Sequence, residues 1–118
     1  IIGTGEVDSF ISTRIFPNGR LPSPQDIVNK SKNLLQIKQW ESFGTDYDKT
    51  LLAWEANFRR NWNKISKLTN KSGEVLYDVK FYRMWRYYLL CCAATFRIGF
   101  NDVAQIIMSK HKSVTVLK

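Results

Sequence analysis

Histidine, cysteine and glycine are scarce in this chain of 118 residues, and each scarcity removes a class of chemistry. The single histidine, His111, stands between Lys110 and Lys112, where it reads as an exposed side chain and not as half of a catalytic pair. The two cysteines are neighbours, Cys91-Cys92. A disulfide between adjacent residues needs strained geometry and does not suit a helix. With no Cys-x-x-Cys spacing, a zinc site and a disulfide framework are both disfavoured, and buried free thiols in a reducing compartment are expected. A thiol in apolar surroundings keeps its proton, so a cysteine nucleophile is set aside as well. The glycines form no phosphate-cradling loop: Gly3-Thr4-Gly5 lacks the third glycine and the strand-to-helix setting of a dinucleotide fingerprint. No secretory signal is visible, since the start shows no basic region and no long apolar core. There is no initiating Met either. Ile1-Ile2-Gly3-Thr4 opens inside an apolar run, as a strand cut near its end would, so a fragment is expected.

What is present is a chain able to bury a core. Hydrophobic residues make up 44% and aromatic residues 14%, enough for one domain, or part of one, over 1–118. The net charge is +8, from 18 basic and 10 acidic residues, which favours an anionic partner such as phospholipid headgroups or nucleic acid. A merely solvated lysine-rich surface explains the same number.

The organising stretch is Phe81-Tyr82-Arg83-Met84-Trp85-Arg86-Tyr87-Tyr88-Leu89-Leu90-Cys91-Cys92-Ala93-Ala94-Thr95-Phe96-Arg97. It holds neither Gly nor Pro, and from Met84 onward its only charges are Arg86 and Arg97. At a helical step, Phe81, Trp85, Tyr88, Cys92 and Phe96 share a face, and most of the circumference is apolar. Such a helix, expected over about 75–98 and stopped at Gly99 or Asn101, should be buried. It is too short, and too polar at its start, to be a membrane span.

The other elements follow from local signals. A short helix over 9–16, capped by Asp8 or Ser9, ends at Pro17-Asn18-Gly19. Ser23 reads as an N-cap with Pro24 at the first helical position and Asp26 in the first turn, predicting a helix over 24–31. The alternation of Leu35, Ile37 and Gln39 against Gln36, Lys38 and Trp40 predicts a strand. Thr45 and Asp48 have the spacing of a capping box, opening a long helix over 46–68. Its stripe is Tyr47, Leu51, Trp54, Phe58, Trp62 and Ile65, with Glu55 and Arg59 elsewhere on the wheel; it is the natural mate of the buried helix. Asp46 and Asp48 read as helix N-terminal residues favoured by the dipole. Residues 103–109 predict a second strand, and Val114 and Val116 in the basic tail would extend it or fray.

Three spaced blocks occur in order. They are Ile15-Phe16-Pro17-Asn18-Gly19-Arg20-Leu21-Pro22-Ser23, then Phe43-Gly44-Thr45-Asp46-Tyr47-Asp48-Lys49-Thr50-Leu51-Leu52-Ala53-Trp54, then Phe81-Tyr82-Arg83-Met84-Trp85-Arg86-Tyr87-Tyr88-Leu89 with Cys92-Ala93 and Phe96-Arg97. With Gln105-Ile106-Ile107-Met108-Ser109-Lys110, they resemble the C-terminal part of the cyclopropane-fatty-acyl-phospholipid synthases. The Ala94-Thr95 pair departs from the small residues usual there, and the loop at 71–76 is longer than expected.

The resemblance implies an α/β fold: the C-terminal portion of a Rossmann-like S-adenosylmethionine methyltransferase, with two long helices on an antiparallel strand pair. Ile1-Ile2-Gly3 would end the fifth strand, and 34–41 and 103–109 would be the sixth and seventh. The implied reaction is S-adenosylmethionine-dependent methylenation of a cis double bond in phospholipid acyl chains, with bicarbonate as general base. The methyl-donor site would lie outside this chain, leaving it inactive alone. Tyr47, through its hydroxyl, and Ile2, through its backbone, would contact the bicarbonate. Leu51, Tyr88, Cys92 and Phe96 would line the acyl tunnel. Ordinary helix packing accounts for the same apolar positions, and an ordinary strand residue for Ile2. The implied setting is cytoplasmic and peripheral to an anionic membrane, with nucleic acid disfavoured and an open sheet edge that a homo-oligomer could cover. The rival reading is a small basic α+β module that binds nucleic acid or anionic membranes.

Overall fold

The computed structural model describes residues 1–4 and 8–110; Gly5, His111 and the tail strand expected at Val114 and Val116 lie outside them. The chain divides into two compact units, one of residues 1–43 with 101–118, the other of residues 44–100.

The first unit is built on an antiparallel ribbon. β1 (Leu35–Ser42) pairs with β2 (Ala104–Lys110), Leu35 lying opposite Lys110 and Ser42 opposite Ala104. The expected strict alternation is broken by a register shift between Ile37 and Gln39. Ile37 faces Met108 and Gln39 faces Ile107, so Lys38 is the extra residue of a bulge. A side-chain period of two slips by one at such a point. Gln39 therefore turns outward and Trp40 becomes half-buried, the reverse of the sequence reading.

Ile2 joins this ribbon by an isolated antiparallel bridge to Asp102. α1 (Pro24–Ser31) packs against β1 and starts as expected. The Asp26 N–H donates to Ser23 Oγ at 3.1 Å, and the Ser23 N–H donates to Asp26 Oδ2 at 3.0 Å. This reciprocal box satisfies donors that the first helical turn would otherwise leave bare. The expected helix near residue 10 is a π-helical turn, Ile11–Ile15, with Asp8 Oδ1 accepting from the Phe10 N–H at 2.8 Å. It ends where Asn18 takes a positive φ of 61°.

The second unit is a helical hairpin: α2 (Gly44–Arg60), a short α3 (Trp62–Ile65), a polar turn and α4 (Val79–Arg97). The single long helix expected over 46–68 is interrupted at Asn61, whose backbone (φ −93°, ψ 3°) leaves the helical well. Its side-chain Nδ2 donates to the Asn57 carbonyl at 2.8 Å, the local competition that asparagine offers a helix. α4 begins at Val79 and not near residue 75, because Asp78 caps it by accepting from the Phe81 N–H at 2.8 Å. At the far end the Gly99 N–H donates to the Phe96 carbonyl at 3.1 Å and the Phe100 N–H to the Thr95 carbonyl at 2.9 Å. Gly99 sits at φ +72°, the left-handed conformation that this paired closure requires.

α2 and α4 meet along their lengths. Rings line the junction. Phe58 stacks on Tyr82 with centroids 5.6 Å apart, Trp62 lies 4.7 Å from Tyr82, and Phe81 stacks on Trp85 at 5.6 Å. Pairs of this kind contribute about 0.5–1.5 kcal/mol each beyond simple burial.

α4 is nonetheless not a wholly buried helix. Leu89, Ala93 and Phe96 are buried, while Val79, Tyr87, Leu90 and Ile98 are exposed. A single partner helix covers only part of a circumference, and the rest of this apolar surface faces outward.

Candidate functional site

The facing surfaces of α2 and α4 bring together most of the residues singled out from sequence. Leu51 and Phe96 are each 2% exposed and belong to the core. The Tyr47 ring lies 4.9 Å from Phe96 and meets Trp54 edge-on at 6.0 Å. Tyr88 is half-buried 5.2 Å from Trp85 and sits within electrostatic reach of both Cys92 and Tyr47. Tyr47 thus touches Phe96 and lies in electrostatic reach of Tyr88, which in turn reaches Cys92, while Leu51 is buried one turn along α2 from Tyr47. Leu51 and Phe96 are packed, and Tyr88 and Cys92 are more accessible.

Burial sets the protonation of Tyr88 and Cys92. Loss of solvation pushes the Cys92 thiol up to about 11, so it is neutral near pH 7 and no nucleophile. The same cause raises Tyr88, keeping its hydroxyl a hydrogen-bond donor.

Ile2 lies in the other unit and is 6% exposed. Its N–H donates to the Asp102 carbonyl and its carbonyl accepts from the Asp102 N–H, both at 2.9 Å. The donor is therefore committed. What Ile2 retains is the second lone pair of its carbonyl oxygen.

The sequence reading missed two carboxylates. The capping-box spacing and the helical wheel place Asp48 and Glu55 at the surface, yet they are 7% and 6% exposed. α2 starts at Gly44, which leaves Thr45 inside the helix and Asp48 beyond its first turn. Asp48 Oδ2 instead accepts from Arg97 Nε at 2.9 Å. Glu55 Oε1 accepts from Arg86 Nε at 2.5 Å, and Arg59 Nε lies 3.7 Å from the same oxygen. Trp54, expected in the stripe, is 48% exposed instead. The inward face is centred one position further round, on Asp48, Leu51 and Glu55.

A signal was available, since Arg86 and Arg97 are the only charges in the apolar half of α4. Charged residues there call for carboxylates on the facing helix. The Asp48–Arg97 pair is one residue along each helix from the Tyr47–Phe96 ring contact, and so fixes the register at that end. Asp46, the other acid flanking Tyr47, pairs with Lys49 at 3.0 Å. Both carboxylates next to Tyr47 are thereby paired with a cation. Among the described residues no group of His, Cys, Asp and Glu is arranged to hold a metal ion.

The backbone arrangement is that of known methyltransferase-fold enzymes. It aligns with the solved structure of the mycolic acid cyclopropane synthase CmaA1 complexed with SAH and CTAB at a TM-score of 0.72. Identity there is 34%, over 86% of this chain and 33% of that one. The cyclopropane synthase MmaA2 from Mycobacterium tuberculosis aligns at a TM-score of 0.73 with 26% identity.

The family model described as mycolic acid cyclopropane synthetase matches residues 2–106, and this chain belongs to that family. The cyclopropane-fatty-acyl-phospholipid synthase of Escherichia coli K12 is 38% identical over 104 residues, 88% of this chain and 25% of that protein. The cyclopropane-fatty-acyl-phospholipid synthase of Citrobacter freundii is 34% identical over 84 residues, 71% of this chain and 85% of that sequence. Cyclopropane mycolic acid synthase 1 of Mycobacterium tuberculosis is 38% identical over 102 residues, and the chain spans 33% of its length. The chain thus covers between a quarter and a third of the full-length relatives.

Proposed function

We propose that this chain is the acyl-binding and base-holding part of an S-adenosylmethionine-dependent cyclopropane fatty acid synthase that acts on cis-unsaturated phospholipid acyl chains. The observation that carries the reading is that α2 and α4 bring Tyr47, Leu51, Tyr88, Cys92 and Phe96 together. An acyl chain laid along them would meet apolar walls and aromatic faces. Ring faces also attract the positive charge that develops on an alkene as it captures a methyl group.

When bound, S-adenosylmethionine supplies the methyl group and bicarbonate accepts the proton released as the ring closes. The chain's own residues orient and exclude. The Tyr47 hydroxyl donates to the anion, and Leu51 and Phe96 keep water from the reacting carbons. Neutral Tyr88 and Cys92 place no competing negative charge there. Nothing in the described residues cradles the methyl donor, so its site belongs to other residues of the enzyme, and the isolated chain is inactive. The setting is cytoplasmic, at the surface of an anionic membrane, and the open edges of the β1–β2 ribbon are covered by the rest of a sheet or by a second subunit.

Two measurements test this. Calorimetry of the isolated chain with S-adenosylmethionine yields no binding heat; measurable binding would contradict the assignment of that site elsewhere. Tyr47→Phe in a full-length synthase carrying this segment keeps the ring contact with Phe96 and removes only the hydroxyl. Turnover of cis-unsaturated phospholipid falls by about 100-fold, the usual scale for one positioned proton-transfer or anion-holding group. Unchanged turnover would remove the anion-ligand role.

A further inference from the structure

Two buried carboxylates join α2 to α4, and only one of them stands beside a residue of the candidate site. Asp48 follows Tyr47 in α2, and its partner Arg97 follows Phe96 as the last residue of α4. The Tyr47 and Phe96 rings meet at 4.9 Å, and Arg97 Nε donates to Asp48 Oδ2 at 2.9 Å. The two contacts therefore run side by side between the same ends of the same two helices. All four residues lie in the unit formed by 44–100, so both contacts are made inside one compact unit of this chain.

The Asp48 side chain is 10% exposed, and its Oδ1 is buried with no hydrogen-bond partner among the described residues. Burying such a carboxylate costs free energy that an apolar side chain would not. What the carboxylate adds is direction. Apolar contact is non-directional, whereas a charged hydrogen bond holds one particular atom of α4 at one distance and angle. Helix ends fray within their last turn. Phe96 and Arg97 are the last two residues of α4, and Tyr47 is in the first turn of α2. Without the ion pair, the meeting of the two rings would rest on packing.

We infer that Asp48 is a positioning residue for Tyr47. Through Arg97 it holds the last turn of α4, and with it the Phe96 ring, in the place that orients the Tyr47 phenol. The inference deepens the reading of Tyr47 as an anion ligand and rests on that reading for its purpose. Glu55 is the internal comparison. It is 6% exposed and accepts from Arg86 Nε at 2.5 Å, so it too joins the helices through a buried charge. It lies seven residues further along α2, about 10 Å from Asp48, and Arg86 sits over the Tyr82 ring instead. Losing either pair loosens the hairpin, but only Asp48 acts on Tyr47.

The experiment has two arms. In the 118-residue chain, the nuclear Overhauser contact between the Tyr47 and Phe96 rings is measured for wild type, Asp48→Leu, Asp48→Asn and Glu55→Leu, with circular dichroism to verify folding. Leucine removes the buried charge together with the pair, so Asp48→Leu folds. It loses the ring contact, whereas Asp48→Asn, which keeps an oxygen for Arg97, and Glu55→Leu retain it. In a full-length synthase carrying this segment, Asp48→Leu lowers kcat about 30-fold with KM within about twofold, since a misplaced group costs rate more than affinity. Asp48→Asn lowers kcat about threefold, and Glu55→Leu hardly changes it. Adding Asp48→Leu to Tyr47→Phe brings no further loss, because the hydroxyl to be positioned is already gone. Independent effects would instead multiply to about 3,000-fold.

The inference is overturned if the ring contact persists in Asp48→Leu, or if Glu55→Leu loses kcat as Asp48→Leu does. It is equally overturned if the double variant falls well below Tyr47→Phe alone. Should Tyr47→Phe leave turnover unchanged, the anion-ligand reading fails, and the ring contact still decides whether Asp48 places Tyr47.

Discussion

Of the two partners in the Asp48–Arg97 pair, losing the more exposed one does the greater damage. Their side chains are 10% and 62% exposed, and Asp48 Oδ1 has no partner among the described residues. Arg97→Leu would therefore strand a carboxylate in the α2–α4 interface with neither oxygen paired to that arginine. Breaking a fully buried pair costs about 3–5 kcal/mol. Arg97 stands largely in water, so solvent screening brings the figure down to about 2 kcal/mol. For a chain of this size that lowers Tm by roughly 8 °C. Asp48→Leu, by contrast, frees a guanidinium that water already solvates and puts an apolar group in its place, costing about 0–1 kcal/mol. The double variant should recover most of the loss. Urea titrations of the four proteins, followed by helical circular dichroism, give the cycle directly. If Asp48→Leu proves as damaging as Arg97→Leu, or the double variant is the worst, unequal desolvation is not what governs this interface.

Cys92 carries a pH signature. Burial pushes the folded thiol up from about 9.0 to about 11, so the unfolded chain loses the proton first and stability falls as pH rises from 9 toward 11. The difference between wild type and Cys92→Ala in urea midpoints at pH 7.5 and above 10 isolates the effect. Gly99→Ala meets no atom within 4 Å but must hold φ +72°, so it costs about 1 kcal/mol by chemical denaturation, from conformation alone. Ser23→Ala removes the reciprocal cap of α1 and costs about 1 kcal/mol, with Ser23→Asn recovering most of it.

Local chemistry made much of the fold legible. The Ser23-Pro24 start, the positive φ at Asn18 and the stop at Gly99 each follow from what a single residue can or cannot do with its backbone. The pairing of α2 with α4 followed from two stripes of matching period. Less was legible where long-range pairing decides. The bulge at Lys38 depends on how β1 meets β2, and it reversed the facing of Gln39 and Trp40. Asp48 and Glu55 carry charge, and charge in a helix reads as surface until a partner is seen across the interface. Asn61 has a helix-compatible neighbourhood, and only its side chain's bond to Asn57 marks the break. At the candidate site, Leu51, Tyr88, Cys92 and Phe96 came from resemblance and are brought together by α2 and α4, whereas the charge pairs that set the register there did not come from sequence.

The measurement closest to the centre is turnover by a full-length synthase carrying Cys92→Phe, with S-adenosylmethionine binding measured alongside. The larger side chain occupies the accessible part of the surface beside Tyr88. If the acyl chain lies there, kcat/KM for a cis-unsaturated phospholipid drops by about 100-fold, roughly 2.7 kcal/mol of transition-state stabilisation, while methyl-donor binding is unchanged. Undiminished kcat/KM in a folded variant would show that the acyl chain lies elsewhere.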